Sequence, residues 1–288
     1  MKRLLARLLP RRFRKGAVEI PVVRLSGTIA TGGGLRPSLS LASAAPLLEK
    51  AFADKSAPCV AISVNSPGGS PVQSRLIYRR IRDLADENRK PVFMFLEDVA
   101  ASGGYMIAIA GDEIIADPST IVGSIGVVAA TFGFPELLKK LGVERRVYTA
   151  GTNKSTLDPF QPEKKSDVAH LKALQLEVHQ TFIDMVKERR GAKLANDPEL
   201  FTGLFWTGNK GKELGLVDHL GDMRSFLKAR FGEKAKLRLI TQPRGLFGLR
   251  QGGTPGIGGT GAEKAAVAAA DHVLSTLEER ALWGRFGL

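Results

Sequence analysis

The sequence of 288 residues has one cysteine, Cys59. That excludes an internal disulfide framework and a cysteine-rich zinc site, and it fits a reducing compartment. Aromatic residues are scarce, at 7% of the chain. A groove for single-stranded nucleic acid needs aromatics interleaved with basic side chains, so nucleic acid is not expected as a partner, in spite of a net charge of +13. No stretch approaches the roughly 18 apolar residues of a membrane-spanning helix. A secretory signal is also missing, because Arg7, Pro10, Arg11 and Arg12 interrupt the apolar stretch at the N-terminus. No repeat of fixed period is visible.

The basic charge is concentrated. Lys2, Arg3, Arg7, Arg11, Arg12, Arg14 and Lys15 stand in the first fifteen residues, which contain no acid and supply seven of the thirteen net charges. Leu4, Leu5, Leu8 and Leu9 fit one face of a helix with arginines opposite. Residues 1–17 therefore read either as an amphipathic anchor on an anionic membrane surface or as a disordered basic tail. Beyond them, both signs of charge are mixed, as on solvated faces.

From residue 18 the pattern alternates. Strands are expected at 18–29, within 58–70 (a buried strand and then a loop), and at 91–98, 113–117, 121–130 and 143–151. Helices are expected at 40–54, 71–90, 102–112 and about 163–190. The stretch 206–221 reads as a turn, a short helix and a stop. Such alternation implies an α/β domain of parallel βαβ units with right-handed crossovers, over residues 18–242. Residues 243–261 are glycine-rich and read as a linker. Residues 262–288 read as a C-terminal helix that must dock elsewhere to bury its apolar face.

Two glycine-flanked strand ends carry the chemistry. "NSPGGS" (65–70) and "ASGGY" (101–105) each stand where a strand gives way to a helix. Adjacent glycines let backbone N–H groups approach a bulky group, and the first N–H groups of a helix are unpaired and partly positive. That suits an oxyanion hole, or simply a strand–helix turn. Ser102 is a helix N-cap or a nucleophile. It departs from the G-x-S-x-G elbow, since Ala100 replaces the first glycine. If both strand ends face one cleft at the carboxyl edge of the sheet, the second role gains weight.

A nucleophilic serine needs a base. His170, His179, His219 and His272 lie on helices or near a helix stop, without a loop setting that suggests catalysis. Lys154, in "TAGTNKSTLDPF", follows a strand expected to end nearby. It is a solvated loop lysine, or a base if burial keeps it neutral. "GTNKS" is not a P-loop, because Asn153 stands where glycine is needed and Pro159 follows in place of a helix.

Taken together, "NSPGGS", "DVAASGGYMIAIAGDEIIADPSTIVGSIGV" (98–127), "GTNKSTLDPF" and "WTGNKGKELGLVDHLG" closely resemble the signal peptide peptidase A family of serine peptidases, the protease IV and SohB group. The resemblance runs from about 18 to 240 and implies a Clp-protease/crotonase-like fold. It makes Ser102 the nucleophile, Lys154 the general base and Ser124 the hydroxyl that orients the lysine. Gly68, Gly69 and Gly103 are placed at the oxyanion hole. The implied reaction is acylation of Ser102 by a peptide carbonyl and hydrolysis of the ester, without metal or cofactor. The implied substrates are extended apolar peptides such as signal-peptide remnants.

This chain has one copy of the domain. In short family members the lysine comes from an adjacent subunit, so a homo-oligomeric ring with a shared Ser-Lys dyad is expected. Many members also carry a membrane-spanning anchor, absent here, so the expected location is cytoplasmic or peripheral on the inner face of the membrane. Two other functions remain open from the residues. An acyl-CoA enzyme on the same fold would use a carboxylate, for which Glu97 and Asp98 are placed near the motif. A non-catalytic scaffold would use residues 1–15 to reach the membrane.

Overall fold

The computed structural model describes residues 18–31, 38–241, 276 and 280–288. The expected basic tail, the glycine-rich linker and most of the expected terminal helix lie outside the described residues, although 280–284 are helical. In chain order the elements are β1 (Glu19–Ser26), α1 (Leu41–Phe52), β2 (Val60–Ser66), α2 (Pro71–Asn88), β3 (Val92–Ala101) and α3 (Gly103–Ala108). They continue with β4 (Glu113–Ala116), β5 (Ile121–Gly123), α4 (Pro135–Lys140) and α5 (Lys165–Arg190). The remainder are β6 (Phe205–Thr207), α6 (Gly208–Glu213), β7 (His219–Leu220), α7 (Met223–Phe231) and β8 (Lys236–Leu239).

The strands form one sheet in the order β6-β5-β3-β2-β1-β8, with β4 against β3 and β7 against β4. Every pairing is parallel except that of β5 with β6. β2, "VAISVNS", is buried along its whole length, which is why it reads as a continuous apolar run and not as an alternation. β3 forks. Its first half, Phe93–Leu96, pairs with β4, and its last residues, Val99–Ala101, pair with β5. The ladder with β2 shifts register between Val64 and Ser66 at the same level. The fork opens the carboxyl edge of the sheet directly below Ser102.

Helices cover both faces. On one side α1, α2, α3 and the C-terminal part of α5 pack on a large core that includes Phe52, Ile77, Ile81, Tyr105, Phe182 and Val186. On the other, α7 covers Phe93 and Phe95, with Phe226 and Phe231 in edge contact with them. Local chemistry sets the helix ends. Ser40 and Ser43 cap α1 reciprocally. Ser70 caps α2 with Pro71 at its first turn, and Arg89 closes it in the left-handed conformation.

A buried ion pair locks α5 to the sheet. Arg190 binds Asp218 through two bonds, at 2.8 and 3.1 Å, and donates a third to the Gly215 carbonyl. Asp218 also accepts from Lys193 and from the Ile114 amide of β4. Tyr105, wholly buried in α3, donates to the Leu216 carbonyl in the same loop. Burial acts to raise the Asp218 carboxyl, but the hydrogen bonds from Arg190 and Lys193 prevail and bring it down to about 2. A depressed folded pKa contributes stability above the ordinary carboxylate range, near 3.9, and loses it as pH falls towards about 2. Asp218→Ala leaves the Arg190 guanidinium buried and unpaired, and is expected to cost about 3–5 kcal/mol in urea unfolding at neutral pH. A loss below about 1 kcal/mol would show that the pair holds little.

Several elements differ from expectation. The segment 143–151 is not a strand; residues 144–150 are exposed and have no regular structure. The segment "VERRVY" meets no partner strand among the described residues, and Glu144 and Arg145 bond instead to Arg146 and Asp158. The expected strand 121–130 stops at Gly123, where the backbone turns through positive φ at Gly123 and Ser124. α4 and α7 were not expected; each is short.

Candidate active site

The site is built where β3 ends. Ser102 follows directly and stands at φ 52 and ψ −121. A non-glycine residue at such angles costs on the order of 1–3 kcal/mol, and the surroundings must impose it. They do. The Ser102 amide donates to the Gly123 carbonyl at 2.8 Å, and its carbonyl accepts from Met106. Ser102 occupies the N-cap position of α3, yet its hydroxyl makes no capping bond. The strained turn places Ser102 on the wall of a small open cavity, lined also by Gly69, Pro71, Gly103, Met106, Gly126, Val127, Val178 and Phe182. Ala100 in place of the elbow's first glycine therefore does not prevent a sharp strand-to-helix turn.

The two glycine turns meet here. A Cβ on Gly68 would lie 2.8 Å from the Ser102 Cβ and 2.9 Å from the Gly103 nitrogen. A Cβ on Gly69 would lie 2.1 Å from the Ile29 carbonyl oxygen, and one on Gly103 would lie 2.4 Å from the Ser74 hydroxyl. These approaches leave no room for any side chain. Gly68 and Gly69 also have φ of 106 and 137, so the turn at 65–70 demands glycine on backbone grounds as well. The three glycines are not equivalent. The Gly68 amide donates to the Ser66 hydroxyl at 3.2 Å. Among the described residues, no backbone carbonyl takes the amide of Gly69 or of Gly103. Gly103 opens α3, where the first N–H groups have no partner within the helix. Two unengaged N–H groups thus border the cavity beside a serine hydroxyl.

Ser124 lies across from Ser102. Ala101 pairs with Gly123, so the two serines follow adjacent strand ends. Ser124 is buried, at 5% exposure, and also has positive φ, 52. Lys154 is not brought to these two. It is exposed on a run of turns at 152–157, and it does not line the cavity. The whole excursion from 128 to 164 lies half-buried or exposed. It displays Val128, Phe132, Leu141 and Tyr148 at 66, 79, 65 and 90% exposure.

The carboxylates near the motif are engaged elsewhere. Glu97 pairs with Arg24 at 2.6 Å, and Asp98 accepts from the Asn65 amide at 2.7 Å. Neither lines the cavity, which removes the acid that an acyl-CoA chemistry would call on. Sequence reasoning missed the cavity wall. Val178 and Phe182, at i and i+4, mark one face of α5, but the pattern gives no sign of which strand end that face meets. Sequence reasoning also set aside His179, whose Nε2 lies 3.0 Å from the Ile125 carbonyl.

The model of peptidase family S49 matches residues 85–237, which include Ser102, Gly103, Ser124 and Lys154. The chain belongs to peptidase family S49. The mixed α/β architecture around a mostly parallel sheet is that of this Clp-protease/crotonase-like family. Among S49 relatives, the chloroplastic serine protease SPPA of Arabidopsis thaliana is 33% identical over 214 residues, covering 72% of this chain and 31% of that protein. Protease 4 of Haemophilus influenzae is 33% identical over 204 residues, covering 70% of this chain and 33% of that protein. A protein of Brucella abortus named Na(+)/H(+) antiporter NhaA is 69% identical over 290 residues, covering 99% of this chain and 39% of that protein. The chain thus spans about two fifths of the length of that relative, and the antiporter name is said of the longer protein. Among the described residues of the S49 chain, no helix is long and apolar enough to cross a membrane.

Proposed function

We propose that this chain is a serine endopeptidase in which Ser102 is the nucleophile and Lys154 of a neighbouring subunit is the base. The observation that carries the reading is the strained Ser102, free of any capping bond, beside the unengaged amides of Gly69 and Gly103. The Ser102 oxygen attacks a peptide carbonyl, and its proton passes to the neutral amine of Lys154. The carbonyl oxygen becomes an anion and is received by the two amides, where fixed dipoles stabilise it without reorganisation. The lysine then protonates the leaving amine, and the C–N bond breaks. Water, giving a proton to the same amine, attacks the ester and releases Ser102. Ser124 holds the lysine in line. Gly68 serves by letting the backbone pass close to Ser102.

Two observations support sharing the dyad. Lys154 is exposed on its own chain and does not line the cavity beside Ser102. The excursion that carries it also displays large apolar side chains to solvent, the mark of a surface that another protein covers. Packing of that excursion on the next subunit of a closed ring dries the lysine and brings it to Ser102. The wall of Met106, Val127, Val178 and Phe182 suits an apolar side chain of limited size. Extended apolar peptides, signal-peptide remnants among them, are the proposed substrates.

Residues 18–242 are proposed as the peptidase domain, with 243–261 a linker and 262–288 a docking helix. The basic segment 1–15 is proposed to rest peripherally on an anionic inner membrane face, through its seven positive charges. Hydrolysis of a fluorogenic apolar peptide by the wild type and its loss in Ser102→Ala test the central reading. A folded chain that hydrolyses no peptide and accepts no serine-directed label would favour a scaffold.

A further inference from the structure

The turn Ser124–Ile125–Gly126 is doubly constrained. Ser124 has positive φ, and Gly126 lines the cavity with its Cα close to Gly203, where an added Cβ would come within 2.9 Å. The Ser124 amide is tied to the Leu204 carbonyl at 2.7 Å, and the Gly126 amide folds back onto the Ser124 carbonyl at 3.0 Å. Among the described residues, no backbone amide donates to the Ile125 carbonyl. His179 meets it from α5, with Nε2 at 3.0 Å and half-buried. A carbonyl only accepts, so Nε2 carries the proton. Among the described residues, no other side chain bonds to this turn. His179 follows Val178 and stands three residues before Phe182, both of which line the cavity.

We infer that His179 is a positioning residue, which holds the Ser124–Gly126 turn in its strained form through the bond to the Ile125 carbonyl and so fixes both the Ser124 hydroxyl and the Gly126 side of the cavity. The inference rests on the roles of Ser102 and Ser124 proposed above for its catalytic meaning, and on the bond itself for its structural meaning. A strained turn relaxes when the contacts that impose it are removed. A buried carbonyl left without its donor gains by turning towards water. Either movement displaces Ser124. The bond does not depend on the imidazole's charge state, because Nε2 donates in both forms.

The test compares His179→Gln, His179→Asn and His179→Leu in the full chain. The glutamine amide reaches where Nε2 was; the asparagine amide is too short, although equally polar. Amide exchange is followed on peptides spanning 121–127, alongside steady-state hydrolysis of an apolar peptide and labelling by a fluorophosphonate. Exchange in this segment is expected to quicken about tenfold in the asparagine and leucine variants and to return close to wild type in the glutamine variant, as befits one lost bond. kcat is expected to fall about tenfold in the same two variants, with KM changed less, and to recover with glutamine. Exchange that is unchanged in both the asparagine and leucine variants, or equally fast in the glutamine variant, overturns the inference. Failure of the Ser102 reading shows differently, as a wild type that takes no label at Ser102 whatever the exchange rates.

Discussion

Ser102→Ala is expected to lower hydrolysis of an apolar peptide by at least about 10³-fold, since removal of a covalent nucleophile leaves only binding and oxyanion stabilisation. The substitution deletes one oxygen and keeps the Cβ, so the turn at φ 52 is neither relieved nor worsened. The hydroxyl makes no capping bond, so α3 does not lose a cap. Thermal stability is therefore expected to stay within about 0.5 kcal/mol of wild type. The split between a large kinetic effect and a small thermodynamic one is the point. An N-cap serine would behave oppositely, losing about 1 kcal/mol of stability and little activity. Activity within threefold of wild type would remove Ser102 from the reaction.

Lys154→Ala is expected to be as inactive as Ser102→Ala, again with stability little changed, because the side chain is exposed on its own chain. The informative experiment mixes the two inactive proteins after dissociation and reassociation. If the dyad is shared across a subunit boundary, a site is whole when one subunit supplies the serine and its neighbour the lysine. Random mixing of equal amounts then restores about a quarter of wild-type activity, one arrangement in four at each boundary of a cyclic assembly. A dyad completed within one chain gives no recovery at all. A fully active monomer by sedimentation, or a Lys154→Ala variant with wild-type kcat, would remove the shared dyad while leaving Ser102 untouched.

Much of the fold was legible because it rests on short-range signals. The buried run of β2, the cap and proline that open α2, and the alternation of strand and helix all report local environments that side chains declare by type. The glycines of 68, 69 and 103 were legible as demands for close approach, and the distances a Cβ would face bear out that demand. Their separate duties were not. The Gly68 amide is already bonded to Ser66, whereas among the described residues no backbone carbonyl takes the Gly69 amide.

The limits appear where the partner is remote. "VERRVYTAG" carries β-branched residues that favour a strand and yet forms none, since a strand needs an edge to pair with and it pairs with none among the described residues. His179 was set aside for lying on a helix, because no sequence pattern tells that α5 passes over the turn after β5. Val128, Phe132, Leu141 and Tyr148 stand exposed on the single chain, and the sequence does not say what covers them. The physical reason is the same in each case. Periodicity reports that a face is covered, and not by what.

The most direct measurement is covalent. Wild-type protein treated with a fluorophosphonate and digested is predicted to carry one adduct, on the peptide containing Ser102, with hydrolysis lost in step with labelling. An adduct on another residue with Ser102 unmodified, or hydrolysis that persists in the fully labelled protein, would contradict the account.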